Sequence, residues 1–300
     1  MKKYVFVIFV GLLLITSCTN NAELGSKANP IKMYFVPSME AGKIITSGEA
    51  IADYLTEKTG YFFDVAVPTS YAAVIEAMGT KETDIAWLAT FAYILASEKF
   101  GAEVGLMTER KGLKKYRGQF VAKADGDVNS LEDISGKIIA YTDAASTSGF
   151  IYPSALLAEK NIVPKRTMFS GGHPQAVLAV YQGTADVGCT YWSPEDDEGT
   201  PQDARLAVNE TYPDIFEKVK IVDFTDWIPN DTVTFRKDFP LEMKEQIISN
   251  LLEFAASEKG QETLDNLFNI SGFVRATNSD YDVVRETLKS LGEDASSFIK

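Results

Sequence analysis

Three consecutive hydroxyl residues, Ser146, Thr147 and Ser148, stand before Gly149 in the run Thr142-Asp143-Ala144-Ala145-Ser146-Thr147-Ser148-Gly149. A strand-length apolar segment, Lys137 to Tyr141, precedes the run, and a helical pattern from about Phe150 to Lys160, with Pro153 in its first turn, follows it. A helix start leaves backbone N–H groups without intrahelical partners and carries positive partial charge. Hydroxyls and free N–H groups at such a place can therefore converge as donors on one oxyanion. An ordinary N-cap needs one hydroxyl, and three in a row exceed that need. Two further helix starts carry tyrosines: Tyr71 after Thr69-Ser70, and Tyr93 in Ala89-Thr90-Phe91-Ala92-Tyr93. Each can donate a phenolic hydrogen bond while walling off water, and each can equally be an amphipathic core tyrosine. The single histidine, His173, follows Ser170-Gly171-Gly172 and precedes Pro174 at another strand-to-helix turn, where ligand contact, capping and solvent exposure are all open to it.

Scarcity excludes most other chemistry. Two cysteines and one histidine cannot build a zinc site of ordinary ligand spacing, so neither a metal nor any other cofactor is expected. With 29 Lys and Arg against 42 Asp and Glu the formal net charge is -13, which argues against a nucleic-acid partner or an anionic membrane held by bulk charge. Any anion must be captured locally. The chain has no GxSxG, HExxH, P-loop or GxGxxG motif. A serine hydrolase with Ser148 as nucleophile and His173 as its base is the one enzyme reading left.

The N-terminus reads as an address. Lys2-Lys3 precede an apolar run from Tyr4 to Ile15, shorter than the roughly 20 residues a bilayer span needs but suited to a signal-peptide core. Thr16-Ser17-Cys18 then resembles a bacterial lipobox, in which the Cys18 thiol is lipidated and becomes the mature N-terminus; an ordinary signal peptide is the alternative. Residues 1–17 are thus expected to be a signal peptide and 18–29 a flexible, lipid-anchored tether. The expected location is extracytoplasmic, on the membrane only through the lipid on Cys18, and Cys189 is left unpaired.

From Asn29 onward, apolar runs of strand length alternate with helical patterns, the signature of α/β layering. The expected elements are strands Ile31 to Val36, Phe62 to Val67 and Asp84 to Leu88, with helices Tyr71 to Met78 and Phe91 to Lys99. Thr46-Ser47-Gly48-Glu49 reads as a capping box opening a further helix that ends at Gly60. The pattern restarts at a strand from Gln119 to Ala122. An internal similarity supports two lobes: Ala73 to Thr80 with Asp84-Ile85-Ala86 matches Ala176 to Thr184 with Asp186-Val187-Gly188, each read as helix, glycine stop and a strand beginning with Asp. Helices after Phe239 would return to the first lobe. The chain then crosses twice, near Val121-Ala122 and near Asp231-Thr232, giving lobe 1 as 30–121 plus 233–300 and lobe 2 as 122–232.

Five segments carry a specific resemblance. They are Tyr71-Ala72-Ala73-Val74-Ile75-Glu76-Ala77; Asp84-Ile85-Ala86-Trp87-Leu88 with Phe91 and Tyr93; Ala145-Ser146-Thr147-Ser148-Gly149 with Pro153; Gly172-His173; and Ile228-Pro229-Asn230-Asp231. In order and spacing, from about Pro30 to Leu288, the chain resembles the phosphate, phosphite and phosphonate-binding proteins of ABC transporters. The resemblance implies a two-lobed type II periplasmic binding protein fold, each lobe a mixed, mostly parallel sheet flanked by helices, joined by two crossing strands. It implies a monomer that captures a small phosphorus oxyanion and hands it to an ABC permease. Ser146, Thr147 and Ser148 would hold the phosphonate oxygens with Tyr71, Tyr93 and His173. Asp231 matches a carboxylate that, in aminoalkylphosphonate binders, helps hold the ligand ammonium. The second carboxylate of that clamp falls near Tyr191-Trp192-Ser193, with Glu195 close by, so an aromatic pair replaces it or the ligand is smaller. A ligand-sensing lipoprotein of the same fold is the alternative within the resemblance.

Overall fold

In the computed structural model, which describes residues 22–196 and 198–290, the alternation becomes two sheets. The expected signal peptide and Cys18 lie outside the described residues. The first sheet is built by β1 (Ile31–Phe35), β2 (Phe63–Ala66), β3 (Ile85–Leu88) and β4 (Glu103–Glu109), with α1 (Ala41–Thr59), α2 (Tyr71–Thr80) and α3 (Thr90–Phe100) between them. The second contains β5 (Lys115–Lys123), β6 (Ile138–Tyr141), α4 (Tyr152–Glu159), β7 (Arg166–Phe169), α5 (His173–Gln182) and β8 (Val187–Trp192). It ends with the short helices α6 (Leu206–Asn209) and α7 (Ile215–Lys218) and the long strand β9 (Val219–Pro229). The chain then returns to the first sheet through β10 (Thr232–Phe235), α8 (Leu241–Ala255), α9 (Glu258–Phe268), β11 (Gly272–Arg275) and α10 (Asp282–Ser290).

Strand order runs β11-β4-β10-β3-β1-β2 in one sheet and β7-β6-β8-β5-β9 in the other. In each, a parallel βαβ core meets one antiparallel strand delivered from the other half of the chain: β10 beside β3, and β5 beside β8. The repeated sequence segments occupy equivalent places, α2–β3 and α5–β8. Asp84 accepts the Lys32 N–H through Oδ2 at 2.9 Å, and Asp186 accepts the Ile138 N–H in the same way at 2.8 Å. The two aspartates therefore start two strands by one device. The stops differ: α5 ends at Gly183 in the left-handed region, but α2 continues past Gly79 and ends at Lys81, φ 62°. Gly79 is needed because a Cβ there would lie 2.4 Å from the Phe100 ring.

Four expectations move. The helix expected to open at Thr46 begins at Ala41, and the Thr46 hydroxyl donates to Gly42 O inside it. Burial of Ile44, Ile51 and Leu55 on one face extends the helix past a local capping pattern, because packing outweighs a cap. Residues 22–29, expected to belong to the tether, form a turn in which Gly25 donates to Asn29 O at 2.8 Å and Phe62 donates to Gly25 O at 2.8 Å. The strand expected at Gln119 is the middle of β5, nine residues long, all of it paired with β8 or β9. The first crossing consequently lies between Glu109 and Lys115 rather than at Val121-Ala122; the second, sought near Asp231-Thr232, is the link Asn230-Asp231 between β9 and β10.

The two crossings are tied together. Asn230 donates through Nδ2 to Thr108 O at 3.0 Å and Leu113 O at 2.8 Å, its N–H donates to Lys114 O at 2.9 Å, and Thr108 N–H donates to Asp231 O at 2.9 Å. One apolar cluster also spans both lobes, joining Tyr71, Val74 and Phe91 to Ala145, Ile151, Tyr152 and Ile228.

Candidate functional site

The βα junctions of both sheets meet across a narrow cleft of about 50 Å³, room for a small ligand only. Tyr71, at the start of α2, faces it from the first lobe; Ser146, Ser148 and His173 face it from the second; Asp231 faces it from the second crossing. Five of the seven residues expected to form a site are thus assembled.

The hydroxyl run opens into a single π-helical turn, Thr147–Ile151, in which Ile151 N–H donates to Ser146 O at 3.1 Å. Such a turn widens a helix start and is frequent at functional sites. Gly149 makes it possible, since a Cβ there would overlap Thr142 Oγ1 at 1.9 Å. Ser146 Oγ accepts the Gly149 N–H at 3.1 Å and keeps its own hydrogen to donate elsewhere. On α5, the His173 N–H donates across the lobes to Ser38 O at 3.2 Å. The His173 ring packs edge-on to Tyr191 with centroids 4.9 Å apart. Burial, assisted by the Arg110 charge, lowers its pKa to about 3, so the ring is neutral around pH 7. It is a hydrogen-bonding group and not a counter-charge. No hydrogen bond joins Ser148 to His173 among the described residues.

Thr147 and Tyr93 do not line the cleft. Thr147 Oγ1 accepts the Phe91 N–H at 2.8 Å, capping α3 of the opposite lobe, whose own N-cap residue is Ala89 and has no acceptor to offer. Replacing Thr147 with valine should orphan that N–H in the closed arrangement. At a cost of about 1–3 kcal/mol for a buried unpaired donor, ligand affinity should fall roughly tenfold, with Thr147→Ser restoring it; equal affinities for Thr147→Val and wild type in calorimetry would contradict the capping role. Tyr93 points to the C-terminal segment, donating to Asn278 Oδ1 at 2.8 Å and packing edge-on to Tyr281 with centroids 4.9 Å apart. It is a core tyrosine, the other reading its sequence allowed.

Sequence reasoning missed Arg110. From the first crossing its Nη2 donates to Asp231 Oδ2 at 2.7 Å, Nη1 to Asn230 Oδ1 at 3.3 Å and Nε to Phe268 O at 3.0 Å, and the guanidinium lies 5.5 Å from the Tyr116 ring centre. Among the described residues, Arg110 and Asp231 are the one cation and the one carboxylate lining the cleft. Tyr116 and Tyr191 add two phenols whose pKa values burial pushes up, so both stay protonated donors. Tyr191 occupies the place where a second carboxylate was sought. Trp192 turns away onto Phe224 and Trp227, Glu195 is not among the lining residues, and Asp203 is held by Arg205 at 2.8 Å. Four lining residues carry a buried polar atom with no partner among the described residues: Trp87 Nε1, Thr108 Oγ1, His173 Nδ1 and Asp231 Oδ1. Each unpaired buried group costs about 1–3 kcal/mol, so their gathering at one cleft favours a small polar occupant.

Comparison with known proteins places this geometry. The family described as "ABC transporter, phosphonate, periplasmic substrate-binding protein" matches residues 33–281. The phosphate-import protein PhnD of Mycolicibacterium smegmatis is 29% identical over 199 residues, covering 60% of this chain and 62% of that protein, so the chain spans somewhat less than two thirds of this relative's length. In fold, the chain is similar to a binding component of an ABC phosphonate transporter from Pseudomonas aeruginosa, with TM-score 0.77, 22% identity and 87% of each chain covered. It is likewise similar to PhnD1 of Prochlorococcus marinus in complex with methylphosphonate, with TM-score 0.76, 17% identity and coverage of 88% of this chain and 98% of that one.

Proposed function

This chain belongs to the phosphonate family of periplasmic substrate-binding proteins of ABC transporters, and from that premise we propose that it captures a small phosphorus oxyanion outside the cytoplasm and delivers it to a membrane permease. The observation that carries the reading is the union, in one enclosed cleft, of hydroxyl donors from the second lobe, Ser146 and Ser148, with the Tyr71 phenol of the first. An anion held by both lobes has contacts in the closed arrangement that the open one lacks, which is what drives closure. Arg110 cancels the charge of Asp231, so the ligand charge is met by hydrogen-bond donors, as in other charge-assisted oxyanion sites.

The substituent on phosphorus is small and uncharged. Asp231 is already paired, Tyr191 stands where a second carboxylate would complete an ammonium clamp, and the Arg110 cation repels an ammonium. Phosphate, phosphite and methylphosphonate are the fitting class, and 2-aminoethylphosphonate fits less well. Lipidation of Cys18 would hold the protein at the membrane, where a permease is within reach.

Titration calorimetry with these four ligands tests the proposal, alongside small-angle scattering of the same samples. At least one of the first three should bind more tightly than 2-aminoethylphosphonate and reduce the radius of gyration. Absence of binding to every phosphorus oxyanion would refute the function, and binding at constant radius would refute the closing motion.

A further inference from the structure

The first lobe has a floor as well as a cleft. Its parallel strands β1, β2 and β3 point their carboxyl ends at the cleft, which Val36, Ser38, Tyr71 and Leu88 line, so their amino ends at Ile31, Phe63 and Ile85 lie on the opposite side. The chain enters the fold on that far side. Asn29 Nδ2 donates to Ala22 O at 2.9 Å, Gly25 N–H to Asn29 O at 2.8 Å and Phe62 N–H to Gly25 O at 2.8 Å, so fixed structure reaches back to Ala22. A Cβ on Gly25 would lie 2.9 Å from the Tyr61 ring and 3.1 Å from Met243 Cε, so the turn is seated tightly between the end of α1 and the start of α8. Around it stand Phe62 and Leu241, 41% and 71% exposed, with Leu24 and Tyr61 half-buried beside them. The lysines on the two flanking helices are already neutralised, Lys58 by Glu253 at 2.7 Å and Lys244 by Glu103 at 2.8 Å. The patch therefore has apolar surface to offer a partner, and not bulk positive charge.

Three residues, Thr19, Asn20 and Asn21, separate Cys18 from Ala22. Whatever conformation they take, the four peptide steps reach at most ~14 Å. Building on the lipidation of Cys18 proposed above, we propose that this apolar floor of the first lobe, formed by Leu24, Tyr61, Phe62 and Leu241, rests on the lipid surface that holds the anchor, with the ligand cleft facing away from it. A lipid buried in the bilayer brings Ala22 within that short reach of the headgroups. The side chains beside Ala22 then meet the membrane interface, a zone that favours apolar and aromatic groups. From the floor, the five residues of β1 set the cleft a further ~16 Å away, at about 3.3 Å per residue. The first lobe is then the stationary one, and the second, across the cleft, is free to swing.

Other exposed apolar side chains, Val163, Phe169 and Trp227, belong to the second lobe, across the cleft from the anchored turn. Helix α1 supplies a ruler between floor and cleft. Glu57 stands in its last turn, beside the floor, and Glu40 caps its other end, on the side where β1 delivers the chain to the cleft. Both are exposed, and roughly 25 Å of helix lies between them at 1.5 Å per residue.

The test places the lipidated protein in vesicles of phosphatidylcholine and phosphatidylglycerol that carry a short-range quencher on their headgroups, with a fluorophore on Glu57→Cys or on Glu40→Cys. Cys189 is buried and does not compete for the label. Quenching at position 57 should exceed that at position 40 at least about threefold, given the length of helix between them. Phe62→Ser with Leu241→Ser should lower the quenching at 57 and leave the calorimetric affinity for phosphate and methylphosphonate as in wild type. A Gly/Ser insert of about ten residues between Asn21 and Ala22 should lower it as well, by freeing the body from the anchor. Equal quenching at the two positions, stronger quenching at 40, or quenching at 57 that survives both the double variant and the insert would each overturn the inference. The comparison of positions 57 and 40 decides the matter even if the double variant does not fold. A mature chain that mass spectrometry shows to carry no lipid on Cys18 would overturn the inference together with the anchor, while oxyanion binding by the same sample would leave the transport reading standing.

Discussion

Replacing Arg110 with methionine should lower oxyanion affinity by more than about a hundredfold and the thermal midpoint by about 6–12 °C. Its side chain is 9% exposed and bonds Asp231 Oδ2 at 2.7 Å, so its loss leaves a negative charge unpaired beside the place an anion must occupy. Breaking a buried ion pair costs roughly 3–5 kcal/mol. Asp231 remains 25% exposed, which places this pair near 3 kcal/mol. At about 2–4 °C per kcal/mol for a chain of this size, the shift in midpoint follows. The loss of affinity has a separate origin in repulsion between ligand and carboxylate. A double variant, Arg110→Met with Asp231→Asn, should regain much of the lost stability, because neither charge is then left alone. Calorimetric scans of the single and the double variant beside wild type decide it. A single variant within 2 °C of wild type, on the order of measurement scatter for differences this small, would show that Asp231 is neutralised by something other than Arg110.

The hydroxyl pair carries the next largest effect. Ser146→Ala combined with Ser148→Ala removes two donors from the mouth of the π-helical turn, and a hydrogen bond to a charged group contributes about 1.5–3 kcal/mol. Affinity should therefore drop by two orders of magnitude or more, on the order of 3 kcal/mol at the least. Ser146 also accepts the Gly149 N–H, so the double variant should lose about 1 kcal/mol of stability as well, the usual cost of a missing cap. Ser148→Ala alone separates the two effects, as Ser148 has no such capping bond. If the double variant titrates within threefold of wild type, the anion does not sit against this turn.

How far the sequence could be read depended on where each signal was stored. Strand and helix alternation in β1, α2, β6 and α8 was legible because apolar residues recur with a period set by the backbone itself. The hydroxyl run was legible because Ser146 and Ser148 act within a few residues of the helix they open. Thr147 looked identical to its neighbours in sequence, yet it serves a helix 56 residues away. No local pattern marks which of three adjacent hydroxyls will face the other lobe. Arg110 was missed for a related reason: Glu109-Arg110-Lys111-Gly112 reads as a solvated turn, and its partner lies 121 residues on. The available clue was the reverse one, that Asp231 near an anion site requires a cation. The capping pattern at Thr46 misled because burial of Ile44 lengthens α1 at the end where a cap would have stopped it.

Asn230 has a mechanical meaning beyond its hydrogen bonds. Its side chain and backbone fasten two antiparallel straps, one running from β4 to β5 and the other from β9 to β10, into a ribbon two chains wide. Such a ribbon bends readily across its width and resists shear between its strands, as a door hung on two pins swings without sagging. A rotation of the lobes about this ribbon would be confined to nearly one axis. In the closing motion proposed above, each stroke would then bring Ser146 and Ser148 back opposite Tyr71 in the same alignment, and Thr147 back to the same N–H of α3, without a search through sideways slips.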